Sequence, residues 1–279
     1  MIRYGYSVLP YGEEPLERSF ERVARYGYDC IELLGDSDRF DAGQINALQR
    51  DYGVSVRSIC MIYTPQTDLV SSDPGIRQHT LAYIRDMIDR ASEVGVEIIP
   101  ITPTANMKIR PEAELEEEWK WAQEGIREAG EHARGSGVRV VIEPWNRYET
   151  YLITRLGQAV EMAREVELDN VGVKGDLFHM NIEEESIPAA LRSAGTLLWH
   201  MDFADSTRAA PGRGHIDFER VMGALDEIGF DGIINMELLP AAGDPFLSIK
   251  GGSAQEFKDE YTSAAISHVK AAAARARVE

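Results

Sequence analysis

The sequence predicts one (β/α)8 barrel spanning residues 1–279. Three observations carry that reading. Short apolar runs, often β-branched, alternate with longer segments of helical periodicity along the whole chain. There are eight such units of about 35 residues, which matches the roughly 250 residues of a typical barrel of this kind. No Ser/Gly-rich linker divides the chain. A doubly wound open sheet is the competing arrangement. It usually has a Gly-rich first strand-to-helix turn, and VLPYGEEP at 8–15 is not one.

The expected strands are 2–8, 28–34, 54–61, 96–101, 138–143, 171–176, 197–203 and 232–238. Their near-continuous apolar character suits strands covered by helices on one side and by a barrel core on the other. Among the helices, 74–94 places Ile76, Leu81, Ile84, Met87, Ile88 and Ala91 near a 3.6-residue period. Others span 114–134 and the Ala-rich 253–275. Glu112, Glu114, Glu116, Glu117 and Glu118 open the 114–134 helix, where acidic residues favour the N-terminus, and are expected to be solvated. His79, His132 and His268 fall in helical segments and are expected at the surface. Asp217 precedes a helix and is expected to cap it.

The balance of 29 basic against 47 acidic residues gives a net charge of −18, which disfavours non-specific nucleic-acid binding. Cys30 and Cys60 are too few for a disulfide framework and lie in apolar runs, as buried free thiols of a reducing cytoplasm would. The first residues, MIRYGYSVLPYGEE, lack the apolar core of a signal peptide, and no run approaches the ~18 apolar residues of a membrane span. A cytoplasmic protein is expected.

In such barrels chemistry collects at the C-terminal ends of the strands. Those ends read Glu32, Met61, Thr102, Glu143, Asp176, Asp202 and Glu237. The last four close VRVVIE, VGVKGD, LLWHMDF and GIINMEL, with gaps of 33, 26 and 35 residues, each about one strand plus one helix. Carboxylates gathered at one mouth can hold a divalent metal and move protons.

The segments around them, IEPWNRYET (142–150), GDLFHMNIEE (175–184), HMDFADSTR (200–208) and NMELL (235–239), resemble the signature segments of the xylose-isomerase-like TIM barrels. The ketose 3-epimerases of the tagatose/psicose type are the branch they resemble most. GYS at 5–7 and LVSSDPGIRQ at 69–78 match more loosely. The resemblance implies a divalent ion, commonly Mn2+, Co2+ or Mg2+, held by Glu, Asp, His and Glu at four strand ends. By motif, Glu143, Asp176 and Glu237 match three of those ligands. Glu149, His179 and Arg208 match residues that contact substrate oxygens.

The third ligand departs from the pattern. The resembled family has His six residues before the substrate-binding Arg, where this chain has Asp202, with His200 two residues earlier. Residues two apart on a strand share a face. Asp202 is therefore the expected third ligand, with His200 the alternative. An all-oxygen site favours Mg2+ or Mn2+ over softer ions such as Co2+ or Zn2+. Lys174 shares a face with Asp176, one layer deeper, and is expected to compensate the added charge, across to Asp202 or through His200. A plain Lys174–Asp202 ion pair with no metal role for Asp202 is the other reading.

The reaction implied is C3 epimerisation of a free ketose through a cis-enediolate, with Glu143 and Glu237 as the two acid/base groups. Alternatives on the same site are an aldose–ketose isomerase of the hydroxypyruvate or rhamnose type, an inosose dehydratase, or a catalytically silent sugar-binding barrel. A DNA-repair endonuclease of the same superfamily would need a histidine-rich trinuclear zinc site, and only His179 and His200 lie at strand ends. Trp145 and Tyr148 could wall a sugar site or pack over the barrel mouth. Arg213 is expected in a solvated loop, and Glu183, Glu184 and Glu185 in a solvated turn. The expected partner is a small sugar, with a homodimer or homotetramer as the assembly.

Overall fold

Each of the eight apolar runs forms a strand, and each strand pairs with its sequence neighbour in parallel until the last returns to the first. The computed structural model describes residues 1–240 and 255–276. The strands are β1 (Arg3–Ser7), β2 (Cys30–Leu34), β3 (Ser55–Cys60), β4 (Ile98–Ile101), β5 (Arg139–Ile142), β6 (Val171–Asp176), β7 (Leu198–Phe203) and β8 (Ile233–Met236). They close in the order β1 to β8, with β8 pairing β1 from Arg3↔Ile233 to Tyr6↔Met236.

The outer layer is α1 (Leu16–Arg25), α2 (Ala42–Tyr52), α3 (Pro74–Val94), α4 (Leu115–Ala133), α5 (Leu156–Val166), α6 (Leu177–Glu183), α7 (Ile187–Ala194), α8 (Phe218–Glu227) and α9 (Gln255–Ala276). Residues 253 and 254 of the expected last helix lie outside the described residues. Local chemistry sets the helix ends. Asp73 caps α3 by accepting from the Gly75 N–H at 2.7 Å, with Pro74 at the first helical position, and Gly95 ends it in the left-handed region at φ 78°. Asp217 caps α8 as expected, accepting from the Arg220 N–H.

Most buried apolar side chains form one shell between sheet and helices, including Ile84, Met87, Ile88, Ile126 and Met162. Cys30, Ile98, Val141 and Ile233 form a separate cluster, against which the half-buried Trp199 packs. Strand alternation places Glu32, Glu143, Asn235 and Glu237 on the same strand faces as members of this cluster, nearer the C-terminal ends. The barrel core is thus apolar at its base and charged toward its mouth. Gly5 makes room in it: a Cβ there would stand 3.1 Å from Asn235 Oδ1 and 3.0 Å from Cys30 Sγ.

Four expectations are corrected. Glu118 is not solvated but fully buried, accepting from the N–H groups of Glu112 (2.6 Å) and Ala113 (3.0 Å) and from the Tyr151 hydroxyl. It satisfies the turn that leads into α4, a tertiary role that helix-terminus statistics do not reveal. Glu183 is likewise buried and takes the backbone N–H and guanidinium of Arg147, tying the β5 loop to α6. His268 is half-buried, edge-on to the Phe218 ring at 5.4 Å. Cys30 is buried, whereas Cys60 is partly accessible at the mouth end of β3.

Candidate active site

Four carboxylates converge at the mouth because four strands end there. Asp176 is the last residue of β6, Asp202 lies one short of the end of β7, and Glu143 and Glu237 each follow their strand by one residue. Register fixes their heights, with Asp176 opposite Asp202 and Asp202 opposite Asn235. All four are buried. Ligand atoms of Asp176, Asp202 and Glu237 lie within 4.8 Å of one another, as do those of Glu143, Asp176 and His179.

Two cations are threaded between these groups. Lys174 Nζ lies 2.6 Å from Asp202 Oδ2 and 3.2 Å from Glu143 Oε1, with the lysine side chain 1% exposed. Arg208 donates through Nη1 to Asp176 Oδ2 at 2.7 Å and through Nη2 to Glu237. Its guanidinium sits 4.9 Å over the Phe178 ring. The Arg208 backbone is left-handed at φ 63°, an uncommon conformation for a residue with a Cβ, and is held by Arg208 N–H to Asp205 and Leu239 N–H to Arg208.

Glu32 and Asn235 complete the buried layer. The Asn235 amide nitrogen donates to Glu32 Oε1 at 3.0 Å and to Asp202 Oδ1 at 3.1 Å, so it positions Asp202 from behind. The Cys60 thiol reaches Glu237 Oε1 at 3.5 Å. His200 sits beneath Asp202 with Nε2 3.8 Å from Asp202 Oδ1, and neither ring nitrogen has a hydrogen-bond partner among the described residues. Its close grouping is with Glu32 and Asp202, while Asp202 is the β7 residue that groups with Asp176 and Glu237.

Five buried carboxyls facing two cations set the electrostatics. Burial pushes Glu143 up to about 7; Lys174 pulls it down, and Glu237 and Asp176 push it up again. Burial raises Glu32 and Asp202 against the pull of Lys174. Asp176 moves the other way: burial raises it, but Arg208, His179 and Lys174 together hold it below its ordinary value. Burial lowers Lys174, but Asp202, Glu143 and Glu32 more than restore it, so the ammonium stays charged.

His179 is held in one tautomer. The Asn146 backbone N–H donates to His179 Nδ1 at 3.2 Å, and the Asn146 side-chain nitrogen lies 2.8 Å from the same atom. A backbone N–H cannot accept, so Nδ1 carries no proton and the neutral ring presents Nε2–H, 3.8 Å from Asp176 Oδ2. Asn146 also donates to Glu149 at 2.9 Å, linking Glu149 to His179. Trp145 stacks on His179 with centroids 6.3 Å apart, whereas Tyr148 is exposed. Arg213 pairs with Glu260. Burial lowers His179 to about 4. Its folded pKa lies below its ordinary value, so its contribution to stability is present above about pH 6.5 and is lost as pH falls toward 4. The expected result is a neutral imidazole at pH 5.5 with Nδ1 unprotonated. Ring 15N shifts report this directly, and an imidazolium at that pH would contradict it.

The model of the xylose isomerase-like TIM barrel family matches residues 20–271. The chain belongs to that family. Among relatives of this TIM barrel, a D-psicose 3-epimerase from Ruminiclostridium cellulolyticum is 32% identical over 228 residues, 78% of this chain and 76% of its own length. An L-ribulose 3-epimerase from Mesorhizobium japonicum is 25% identical, covering 81% of this chain and 76% of its own length. The solved D-psicose 3-epimerase from Clostridium cellulolyticum H10, with D-tagatose, superposes with a TM-score of 0.88 at 27% identity, over 97% of this chain and 99% of that one.

The residues of this family member fit a divalent ion. Its oxygen donors are clustered, buried and in excess over the local cations. Sequence reasoning missed Asn235, Asn146 and the depth of Glu32. The available signals were a carboxylate inside the apolar CIELL run and an Asn two residues before Glu237.

Proposed function

We propose that the chain is a divalent-metal-dependent ketose 3-epimerase acting on a free sugar. The observation that carries this is the pair Glu143 and Glu237, two carboxylates on well-separated strands of one mouth, in a chain whose relatives include D-psicose and L-ribulose 3-epimerases. Glu143, Asp176, Asp202 and Glu237 would hold the ion. When bound, such an ion polarises a carbonyl as a Lewis acid. The all-oxygen set favours Mn2+ or Mg2+ over Co2+ or Zn2+.

The protein's own groups account for the proton movements. One Glu takes the C3 hydrogen as a proton, and the electron pair left behind forms the cis-enediolate with the C2 carbonyl. The other Glu delivers a proton to the opposite face, which inverts C3. The two carboxyls end with their protonation states exchanged and re-equilibrate with water, which brings solvent hydrogen to C3. The burial that raises Glu143 to about 7 suits a group that must both take and give a proton near neutral pH. His179 Nε2–H and the Arg208 guanidinium fix the substrate oxygens, while Glu149, held by Asn146, takes a terminal hydroxyl. No described helix is long and apolar enough to cross a membrane. The free thiols and the acidic balance support a cytoplasmic enzyme, in a homodimer or homotetramer like many sugar isomerases of this kind.

The test is a panel of free ketoses in D2O with Mn2+, followed by NMR. Deuterium at C3, together with the C3 epimer, is the expected result. Deuterium confined to C1 or C2 would make the protein an aldose–ketose isomerase, loss of water would make it a dehydratase, and binding without exchange a silent sugar-binding barrel.

A further inference from the structure

Lys174 is a buried cation set among the candidate metal ligands. Its side chain is 1% exposed, and its Nζ contacts two of the four candidate ligands, Asp202 at 2.6 Å and Glu143 at 3.2 Å. The backbone is adapted to this. The β6–β7 register shifts between Val173 and Lys174, an irregularity of the kind that re-aims a side chain. Lys174 pairs across with His200, whose ring nitrogens have no hydrogen-bond partner among the described residues. The ammonium is therefore directed among the carboxylates rather than toward the imidazole. The other two candidate ligands, Asp176 and Glu237, are taken by Arg208. Each of the four carboxylates thus has a protein cation against it.

We propose that Lys174 and Asp202 form one charge-conserving unit of the metal centre, with Lys174 as a resident counter-ion. Before the dication binds, the ammonium holds Glu143 and Asp202 together. When it binds, the ammonium opposes it and sets its affinity. Four carboxylates around a dication leave a formal −2, and Lys174 returns this to −1, the value that three carboxylates and a neutral ligand would give. Lys174 is a positioning residue that acts through Glu143 and Asp202. The inference rests on the metal-centre reading above.

The experiment uses the full chain stripped of metal by chelation, and measures Mn2+ affinity calorimetrically and thermal unfolding with and without Mn2+. K174M is expected to bind Mn2+ at least ~10-fold more tightly than the wild type, because a like charge a few ångströms from the ion is removed. Its metal-free form should unfold at lower temperature and gain more from added Mn2+. D202H, which keeps the lysine and replaces a carboxylate with a neutral ligand, is expected to bind at least ~10-fold more weakly. K174M/D202H should return to within ~3-fold of the wild type, because the cation removed and the carboxylate removed offset one another at the ion. If K174M does not fold, the comparison of D202H with K174M/D202H still decides, since removing the lysine on the His background must tighten binding. Wild-type binding of Mn2+ together with equal affinities in that pair would reduce Lys174–Asp202 to a structural ion pair and overturn this inference alone. No Mn2+ binding by the wild type would overturn the metal reading and this inference with it.

Discussion

Glu143→Gln and Glu237→Gln are each expected to lower kcat by ~10²–10⁴-fold and to abolish deuterium exchange at C3. Both substitutions keep shape and remove the ability to carry a proton. Glu143 and Glu237 are buried at the mouth, 7% and 5% exposed, so water cannot readily substitute for either. The variants should still fold. Exchange retained in both would refute the two-base scheme, and exchange lost in one variant only would assign a single base that serves both faces. Glu143 makes a second, independent prediction in the metal-free protein. Its folded pKa is raised from 4.5 to about 7, so the folded state holds the proton more tightly than the unfolded chain. The stability Glu143 contributes is complete below about pH 4.5 and is lost as pH rises through 7. Urea unfolding across that window should show a downward slope in the wild type that is shallower in E143Q. Parallel profiles would mean that the carboxyl ionises as freely folded as unfolded.

The barrel was legible because its signal is redundant. Eight runs repeat one pattern, and their C-terminal ends, where Glu143, Asp176, Asp202 and Glu237 stand, can be located without knowing any contact. Strand alternation also put Lys174 on the same face as Asp176, one layer deeper, before any distance was known. What was illegible depends on contacts between segments distant in sequence. Glu118 looks like one more acid in a helix-opening cluster, and only the fold shows it buried under Tyr151. Asn235 reads as an ordinary polar residue in a strand until β2 and β7 flank it with Glu32 and Asp202. Arg208 was named as a substrate contact, but its grip on Asp176 and Glu237 comes from a left-handed backbone turn that no residue-type preference announces.

That grip makes Arg208→Met the most damaging single change expected for the metal-free protein. Arg208 is buried to 13% side-chain exposure and neutralises two carboxylates that are themselves 1% and 6% exposed. Removing one partner of a buried ion pair costs about 3–5 kcal/mol, because the remaining charge stays in a poorly solvated site. Here two charges are abandoned. The loss should depend on pH with a definite sign. Arg208 holds Asp176 below its ordinary 3.8, so the stability it supplies is present above about pH 4 and disappears as pH falls through the lowered value. The gap between wild type and R208M should therefore be widest at neutral pH and close in acid, where Asp176 is protonated in both. Saturating Mn2+ should recover much of the lost stability, since a dication held by Asp176 and Glu237 replaces the missing charge. It should not restore turnover if Arg208 also orients the substrate. R208K is the informative companion. A lysine keeps the charge but cannot reach two carboxylates with a planar fork, so it should recover part of the stability and little of kcat/KM. Full activity in R208K would reduce Arg208 to a point charge. An R208M protein as stable without metal as the wild type would mean that Asp176 and Glu237 shed their charge by protonation and do not need the guanidinium.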